Sequence, residues 1–527
     1  MKRDAGLERL RSGEQWDVVV VGGGATGLGV AVDAAARGYH TVLLEQSDFA
    51  KGTSSRSTKL IHGGVRYLRQ GNVTLVLEAL RERGILRRNA PHLVRDIPFV
   101  VPSYDWWESP FYGIGLRLYD LLAGKEGFGA SRVLSLDETL ERLPTIETAG
   151  LRGGVLYYDG QFDDARLAMS LAATAADLGA AVLNYLEVVE LLKDGGVVRG
   201  VVARDAETGA VHRVWAKVVV NATGPWSDAL RRLDDREAAP LIRPSQGVHI
   251  VLDRRFHPGD AAIMVPHTDD GRVLFAIPWH QRVVVGTTDT PIAEAPLEPR
   301  PLDEELEFLL AHAARYLTED PRPEDVLSAF AGVRPLVGSL SEERSAAISR
   351  DHTLLISESG LVTITGGKWT TYRRMAQDAV DHAAVLAGLP ERPSTTESLR
   401  LHGWDDGSET SPGRDSLAVY GAEAAAVDAL RRASPPLAAP LHPRLPYIEA
   451  EVVWAAREEM ARTVEDVLAR RTRALLLDAR ASMEAAPRVA ELLAAELGRD
   501  AGWRDLEVRR YRTLAQGYLV PPSLGGR

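Results

Sequence analysis

The run Asp17-Val18-Val19-Val20-Val21 leads straight into Gly22-Gly23-Gly24-Ala25-Thr26-Gly27. Four consecutive valines suit a strand buried on both faces, as in a parallel sheet covered by helices. The glycines end that strand. Residues 28–37 are rich in Ala, a good helix former, and Gly38 is placed to stop the helix. Thr41-Val42-Leu43-Leu44-Glu45 then reads as a second strand ending in an acid. Strand, helix and strand in this order form a βαβ unit, which predicts an α/β fold with a parallel sheet.

The same residues carry a chemical signal. In Gly22-x-Gly24-x-x-Gly27 the first Gly permits a tight turn and the second lets backbone approach a pyrophosphate. The third allows close helix–strand packing. The helix N-terminus offers oriented N–H groups and a partial positive charge to that anion. Glu45 follows Gly27 by eighteen residues, where an acid can accept ribose hydroxyls. A glycine triad alone is weak, but strand, triad, helix and acid occur here in register, which predicts dinucleotide binding. The motif does not separate FAD from NAD. Its N-terminal position and a distant strand with a Gly-terminated turn, Val219-Val220-Asn221-Ala222-Thr223-Gly224, favour FAD.

Composition narrows the chemistry further. The 527-residue chain contains no Cys, which removes disulfides, thiolate nucleophiles, iron–sulfur clusters and Cys-rich zinc sites. A net charge of −11 argues against sequence-independent nucleic-acid binding, which needs surplus cations. The N-terminal MKRDAGLERLRSGEQW lacks an apolar core, so no secretory signal is expected. Residues 18–36 are mostly apolar, but they contain Asp33 and five glycines. They are expected as a buried strand and helix rather than a membrane span.

After Glu45 the chain becomes irregular and polar through residues 49–57, and 73–90 regains helical spacing. Further β-runs are expected at 155–158, 182–189, 197–204 and 215–221. Those at 248–252, 273–278 and 283–287 read as antiparallel strands. From about Pro390 the composition shifts. Residues 417–497 are dominated by Ala, Leu, Glu and Arg with helical periodicity, broken by a Pro-rich bridge at 435–440. The expected organisation is a Rossmann-like FAD-binding domain interleaved with an antiparallel-sheet substrate domain over 1–390, and a helical C-terminal domain over 391–527.

Gly52-Thr53-Ser54-Ser55-Arg56-Ser57-Thr58-Lys59-Leu60-Ile61-His62-Gly63-Gly64-Val65-Arg66-Tyr67-Leu68, taken with the N-terminal glycines, closely resembles the aerobic, FAD-dependent glycerol-3-phosphate dehydrogenase family. Gln246-Gly247-Val248-His249-Ile250-Val251, Pro278-Trp279, Gly286-Thr287-Thr288-Asp289 and Gly332-Val333-Arg334-Pro335-Leu336 carry the same resemblance. Ser349-Arg350-Asp351 and Gly366-Gly367-Lys368-Trp369-Thr370-Thr371-Tyr372-Arg373 complete the set. The resemblance spans nearly the whole chain. It implies oxidation of sn-glycerol 3-phosphate to dihydroxyacetone phosphate, with hydride to FAD and electrons onward to a membrane quinone. Some relatives use oxygen and release peroxide. Those tend to carry an insertion that has no counterpart here, so quinone is the expected acceptor.

The resemblance also assigns residues. Arg334 and Arg350 match phosphate-binding positions, which suits bidentate guanidinium–phosphate contacts. Arg66 lies in a loop expected near the flavin. A neutral His is the natural base for the substrate hydroxyl; His62 and His249 both sit in the motifs, and sequence does not choose between them. Lys368, where a helix begins, is placed either to stabilise negative charge on reduced flavin or to pair with substrate phosphate. Expected cofactor contacts are Gly22, Gly24, Ala25, Thr26, Gly27 and Glu45, then Thr53, Ser54, Ser57, Lys59, Leu60 and His62. Val188, Ala222, Thr223, Gly224, Gly367, Lys368, Trp369 and Thr370 extend that set. No metal is expected.

The resemblance implies a cytoplasmic enzyme held peripherally at the inner face of the cell membrane. The aromatic cluster Tyr104-Asp105-Trp106-Trp107-Glu108-Ser109-Pro110-Phe111-Tyr112, with Arg81, Arg83, Arg87, Arg88 and Arg95 nearby, is one candidate contact surface. The other reading packs these aromatics under the substrate domain. The C-terminal domain shows no chemistry and is left to partner binding or homodimer contacts. Two alternatives compete with the dehydrogenase reading: an amino-acid oxidase of the same fold, and a catalytically silent flavin-binding protein. The first does not explain two phosphate-type Arg motifs. The intact His62, His249, Arg334 and Lys368 count against the second.

Overall fold

The computed structural model describes residues 1–64, 72–105, 108–266, 273–338, 352–407, 417–521 and 524. Arg66, Trp106, Trp107 and Arg350 lie outside them.

The valine run forms the strand Trp16–Val21 at the centre of a sheet, with Val18, Val19 and Val20 wholly buried. Each buried Val contributes about 1.5–3 kcal/mol relative to exposure. The strand pairs in parallel with Thr41–Leu44 on one side and Val211–Asn221 on the other. Val362–Gly366 extends the parallel set beyond Val211–Asn221. The helix Ala25–Ala36 covers one face, packed with helices Asp164–Asp177 and Tyr372–Leu386. The register ends all three central strands together, because Val21 lies opposite both Leu44 and Asn221. Gly22, Glu45 and Ala222 therefore emerge side by side at the carboxyl edge, where ligands bind in open α/β sheets.

A second, largely antiparallel sheet carries the other half of the site. The strand Ile242–Asp253 pairs along its length with Ser328–Val337, and its outer half also pairs with Arg282–Gly286. Ser245 stands opposite Arg334, Gly247 opposite Gly332 and His249 opposite Phe330. Side chains alternate between faces, so these three pairs share one face.

One expected strand is divided. The run 182–189 splits into Ala181–Leu183, an edge strand of the parallel sheet, and Leu186–Asp194, which begins an antiparallel ribbon with Val197–Asp205. Tyr185 turns between them with a left-handed φ of 58°. The adjacent Asn184 side chain donates to Asp48 Oδ1 and the Met460 carbonyl, so buried polar contacts fix a turn that apolar patterning does not reveal.

Helices after residue 417 build a core with the antiparallel sheet: Val251, Trp279, Val284 and Phe330 cluster with Leu468, Leu475 and Tyr511. Fully buried ion pairs also tie these helices to the first sheet. Asp48, three residues after Glu45, accepts from Arg470 Nε at 2.5 Å and from Arg471 Nη1 and Nη2 at 2.6 and 2.9 Å.

Candidate functional site: two cavities sharing one wall

The first cavity, about 460 Å³, opens at the carboxyl edge of the parallel sheet. Gly22, Gly24, Ala25, Thr26, Glu45, Thr53, Ser54, Val188, Ala222, Thr223 and Gly224 line it. Gly22 has φ +110°, and a Cβ there would sit 2.6 Å from the Ala222 carbonyl oxygen. Gly27 lies behind the cavity, where a Cβ would fall 1.9 Å from the Gly22 oxygen; its role is packing. Gly24 precedes the helix without a side chain, and the Ala25 amide donates to Ser54 Oγ at 2.9 Å, so this helix N-terminus faces the cavity with Ser54 beside it. Glu45 accepts from the amides of Gly23 at 2.6 Å and Ser47 at 2.8 Å. Burial pushes its carboxyl above the usual range, against those two bonds.

The second cavity, about 330 Å³, lies over the shared face of the antiparallel sheet. Ser57, Leu60, His62, His249, Arg334 and Thr370 reach it. Phe99, Tyr157, Met264 and Phe275 form an apolar part of its wall. Thr53, Pro335, Gly366, Gly367, Lys368 and Trp369 line both cavities. Gly367 has φ +66°, and Trp369 donates from Nε1 to the Ser54 carbonyl at 2.9 Å. A ligand bridging the two cavities would pass this wall.

Arg334 folds over Gly247, where a Cβ would lie 2.3 Å from its guanidinium. It donates to Asp289 Oδ1 (3.1 Å), Thr287 Oγ1 (3.1 Å) and the Thr288 carbonyl (3.0 Å). His249 is buried, stacked on Phe330 with centroids 4.9 Å apart. Gly286 makes room for the ring, since a Cβ there would lie 2.2 Å from His249 Cδ2. Burial, then the charges of Arg334 and Lys59, hold the imidazole well below its ordinary range. The ring is therefore held neutral, and burial and the two cations oppose its protonation.

Two sequence expectations need correction. Lys59 lines neither cavity; its ammonium is fully buried, donating to Ser55 O at 2.7 Å and to Asp164 at 2.8 and 2.7 Å. A long cation so enclosed needs a carboxylate, and Asp164 supplies it from the start of a helix. Arg83 is likewise unavailable to lipid, because it is buried against Asp159 at 2.7 Å. Sequence reasoning missed Thr58 and Asp289, although both lie inside the quoted motifs. It also missed Asp164, for which the acid pair Asp163-Asp164 at the start of the Ala-rich helix Asp164–Asp177 was the available signal.

The first cavity fits FAD: a glycine cradle, a helix N-terminus at its edge and an acid at the ribose position, with a second cavity beyond a shared wall. Residues 17–373 match the FAD dependent oxidoreductase family, and 361–504 match the C-terminal domain of alpha-glycerophosphate oxidase. The chain is 42% identical to the mitochondrial glycerol-3-phosphate dehydrogenase of Homo sapiens, over 98% of this chain and 75% of that one. It is equally identical to the mitochondrial enzyme of Arabidopsis thaliana, over 98% and 88% respectively. The solved glycerol-3-phosphate dehydrogenase of Bacillus halodurans, complexed with FAD, superposes with a TM-score of 0.80 at 31% identity, covering 99% of this chain and 98% of that one. The protein therefore belongs to the FAD-dependent oxidoreductases and, within them, to the glycerol-3-phosphate dehydrogenase family.

Proposed function

We propose that the protein oxidises sn-glycerol 3-phosphate to dihydroxyacetone phosphate and delivers the electrons to a membrane quinone. The observation that carries this reading is the placement of Arg334 and His249. Both project from one sheet face into a cavity that shares a wall with the FAD cavity. FAD supplies the two-electron acceptor. Arg334, pre-oriented by Asp289, Thr287 and Thr288, binds the substrate phosphate. His249, kept neutral, takes the hydroxyl proton, while His62 lines the same cavity and orients the substrate. Lys368 stands in the common wall, where its charge favours electron arrival. From sequence, Arg350 keeps its proposed phosphate-binding role and Arg66 its proposed place near the flavin.

The division at residues 390/391 and a dimer role for the C-terminal helices stand with this proposal. So does peripheral docking at the inner face of the cell membrane. Helix Glu108–Ala123 exposes Phe111 (50%), Ile114 (72%), Leu118 (45%) and Leu121 (76%) at spacings of three and four. That is one apolar stripe. Its other side packs through Leu116 and Tyr112 among Phe99, Tyr157 and Met264. No helix of the described residues is long and apolar enough to cross a membrane. Such a stripe suits burial in the headgroup boundary.

The test is turnover of sn-glycerol 3-phosphate with product identification, using a soluble quinone and then oxygen. Dihydroxyacetone phosphate with quinone reduction supports the proposal. Peroxide formation without quinone reduction reassigns the acceptor, and turnover of amino acids instead removes the substrate assignment.

A further inference from the structure

We propose that Tyr119 is a positioning residue: its hydroxyl holds the Gly63 amide and, through that peptide, sets the direction of His62 in the substrate cavity. This rests on the reading of His62 as a substrate contact. His62 and Asp159 both line the cavity. Tyr119 lines neither cavity and is buried, on the helix Glu108–Ala123. The Gly63 N–H donates to Tyr119 Oη at 2.9 Å. That N–H and the His62 carbonyl belong to one rigid peptide plane, so the bond fixes the backbone on the carboxyl side of His62.

The approach leaves no room for a side chain at residue 63. A Cβ on Gly63 would lie 2.4 Å from Tyr119 Oη and 2.5 Å from Leu80 Cδ2. Strand pairing holds the other side of His62, with Leu60 opposite Gln161 and Ile61 opposite Gly160. Gly160 makes room there as well, because a Cβ would lie 2.6 Å from Ile61 Cγ1. His62 therefore stands between two fixed points. With both flanking peptides held, the direction of its Cα–Cβ bond is set.

The hydroxyl is itself oriented. Tyr119 Oη donates to Asp159 Oδ2 at 3.0 Å and accepts from Arg83 Nη1 at 3.3 Å as well as from Gly63. Arg83 Nη1 also donates to Asp159 Oδ1 at 2.7 Å, and the Gly160 amide reaches the same oxygen at 3.1 Å. Burial, then the Asp159 carboxylate, push the phenol well above its ordinary range. The phenol therefore keeps the proton that it gives to Asp159, and its lone pairs face Gly63 and Arg83. Removing the hydroxyl would leave the buried Gly63 N–H without this acceptor, which costs more than the bond alone is worth.

Tyr119 thus bears on orientation rather than on affinity. With Arg334 as the phosphate contact, ground-state binding should survive a change in the direction of His62. The alcohol carbon must still meet the flavin in one geometry, and a misplacement of about 1 Å can cost about a hundredfold in rate. Loss of the hydroxyl should therefore appear in the limiting rate and not in KM.

The experiment compares holoenzyme of wild type, Tyr119→Phe, His62→Ala and the double variant. Anaerobic flavin bleaching by sn-glycerol 3-phosphate gives the limiting rate per bound flavin and the KM, and flavin per polypeptide is read alongside. Hydrogen exchange at the Gly63 amide is measured in wild type. Tyr119→Phe should retain its flavin and bleach about 10–100-fold more slowly, with KM little changed. In the His62→Ala background the same substitution should alter the rate less than about twofold, because the side chain it acts through is gone. The wild-type Gly63 amide should exchange slowly. Rapid exchange there overturns the proposal even if Tyr119→Phe fails to fold. Equal losses in the two backgrounds, or loss of flavin from Tyr119→Phe, make Tyr119 structural and overturn it too. Wild-type bleaching by His62→Ala removes the substrate role of His62 itself, whereas slow bleaching by His62→Ala beside an unaffected Tyr119→Phe removes only the role of Tyr119.

Discussion

Arg334 and Asp289 form an ion pair at 3.1 Å within the wall of the substrate cavity. The pair holds the guanidinium in place before substrate arrives, so little rotamer freedom is lost on binding. A phosphate dianion then competes with, or adds to, a single carboxylate contact. Arg334→Ala should weaken transition-state binding of sn-glycerol 3-phosphate by about 2–5 kcal/mol. Glycerol, which lacks the phosphate, should be a poor substrate and nearly indifferent to the change. Steady-state kcat/KM for both substrates checks this, and equal losses would make Arg334 structural.

Gly27→Ala should expel the cofactor. Its Cβ would lie 1.9 Å from the Gly22 carbonyl oxygen, a backbone clash that only movement of the phosphate turn can relieve. FAD affinity should fall at least about tenfold, equivalent to 1.4 kcal/mol or more. Flavin absorbance per polypeptide after gel filtration reports it.

Both predictions draw on parts of the molecule that were legible in the sequence. Val18 to Val21, the glycine triad and Glu45 follow local rules, and the structure assembles them as those rules require. His249 and Arg334 were legible only through their motifs. What brings them together is strand register across the pairs Ser245–Arg334 and His249–Phe330, a long-range property that local pattern does not carry. Lys59 shows the converse. Its place in a polar motif suggested a cofactor contact, yet a carboxylate more than a hundred residues later draws it into the interior. Whether an ionisable side chain meets a ligand or a buried partner depends on what the fold packs beside it.

Asp48→Asn should destabilise the whole enzyme by about 3–5 kcal/mol, because it leaves Arg470 and Arg471 buried without their shared carboxylate. Both arginines are 2% exposed or less, and Asp48 is wholly buried. Urea unfolding followed by flavin release and far-UV circular dichroism measures this. A change under 1 kcal/mol would show that the C-terminal helices hold the cofactor-side loop by other means.

His402 gives stability a dependence on alkaline pH. It hydrogen-bonds Glu423 at 3.2 Å and Asp177 at 2.7 Å. Glu423 first, then Asp177, raise the imidazole to about 9 despite opposing burial. The folded value exceeds the unfolded one, so the stabilisation is complete below about pH 6.5 and disappears as pH rises through 9. Solvent reaches all three side chains, and screening leaves an expected contribution of about 1–2 kcal/mol. The stability difference between wild type and His402→Gln should therefore shrink between pH 6 and pH 10. A constant difference would place no charged His402 in the folded state.

The exposed stripe predicts a membrane phenotype separable from chemistry. Ile114→Ser/Leu121→Ser should reduce co-sedimentation with anionic liposomes and slow reduction of membrane-embedded quinone, while flavin bleaching by substrate is unchanged. These two side chains are 72% and 76% exposed, so the substitutions should disturb little of the fold. Equal sedimentation of variant and wild type would exclude this helix from docking.

Two cavities with a common wall place a phosphorylated alcohol against a flavin. Anaerobic titration of the purified holoenzyme with sn-glycerol 3-phosphate, followed by flavin absorbance, reports whether they do. The flavin should bleach with sn-glycerol 3-phosphate, and dihydroxyacetone phosphate should form in equal amount to the flavin reduced. Glycerol and amino acids at the same concentration should give no comparable bleaching. A flavin that stays oxidised with sn-glycerol 3-phosphate, or that bleaches as readily with an amino acid, would contradict that placement.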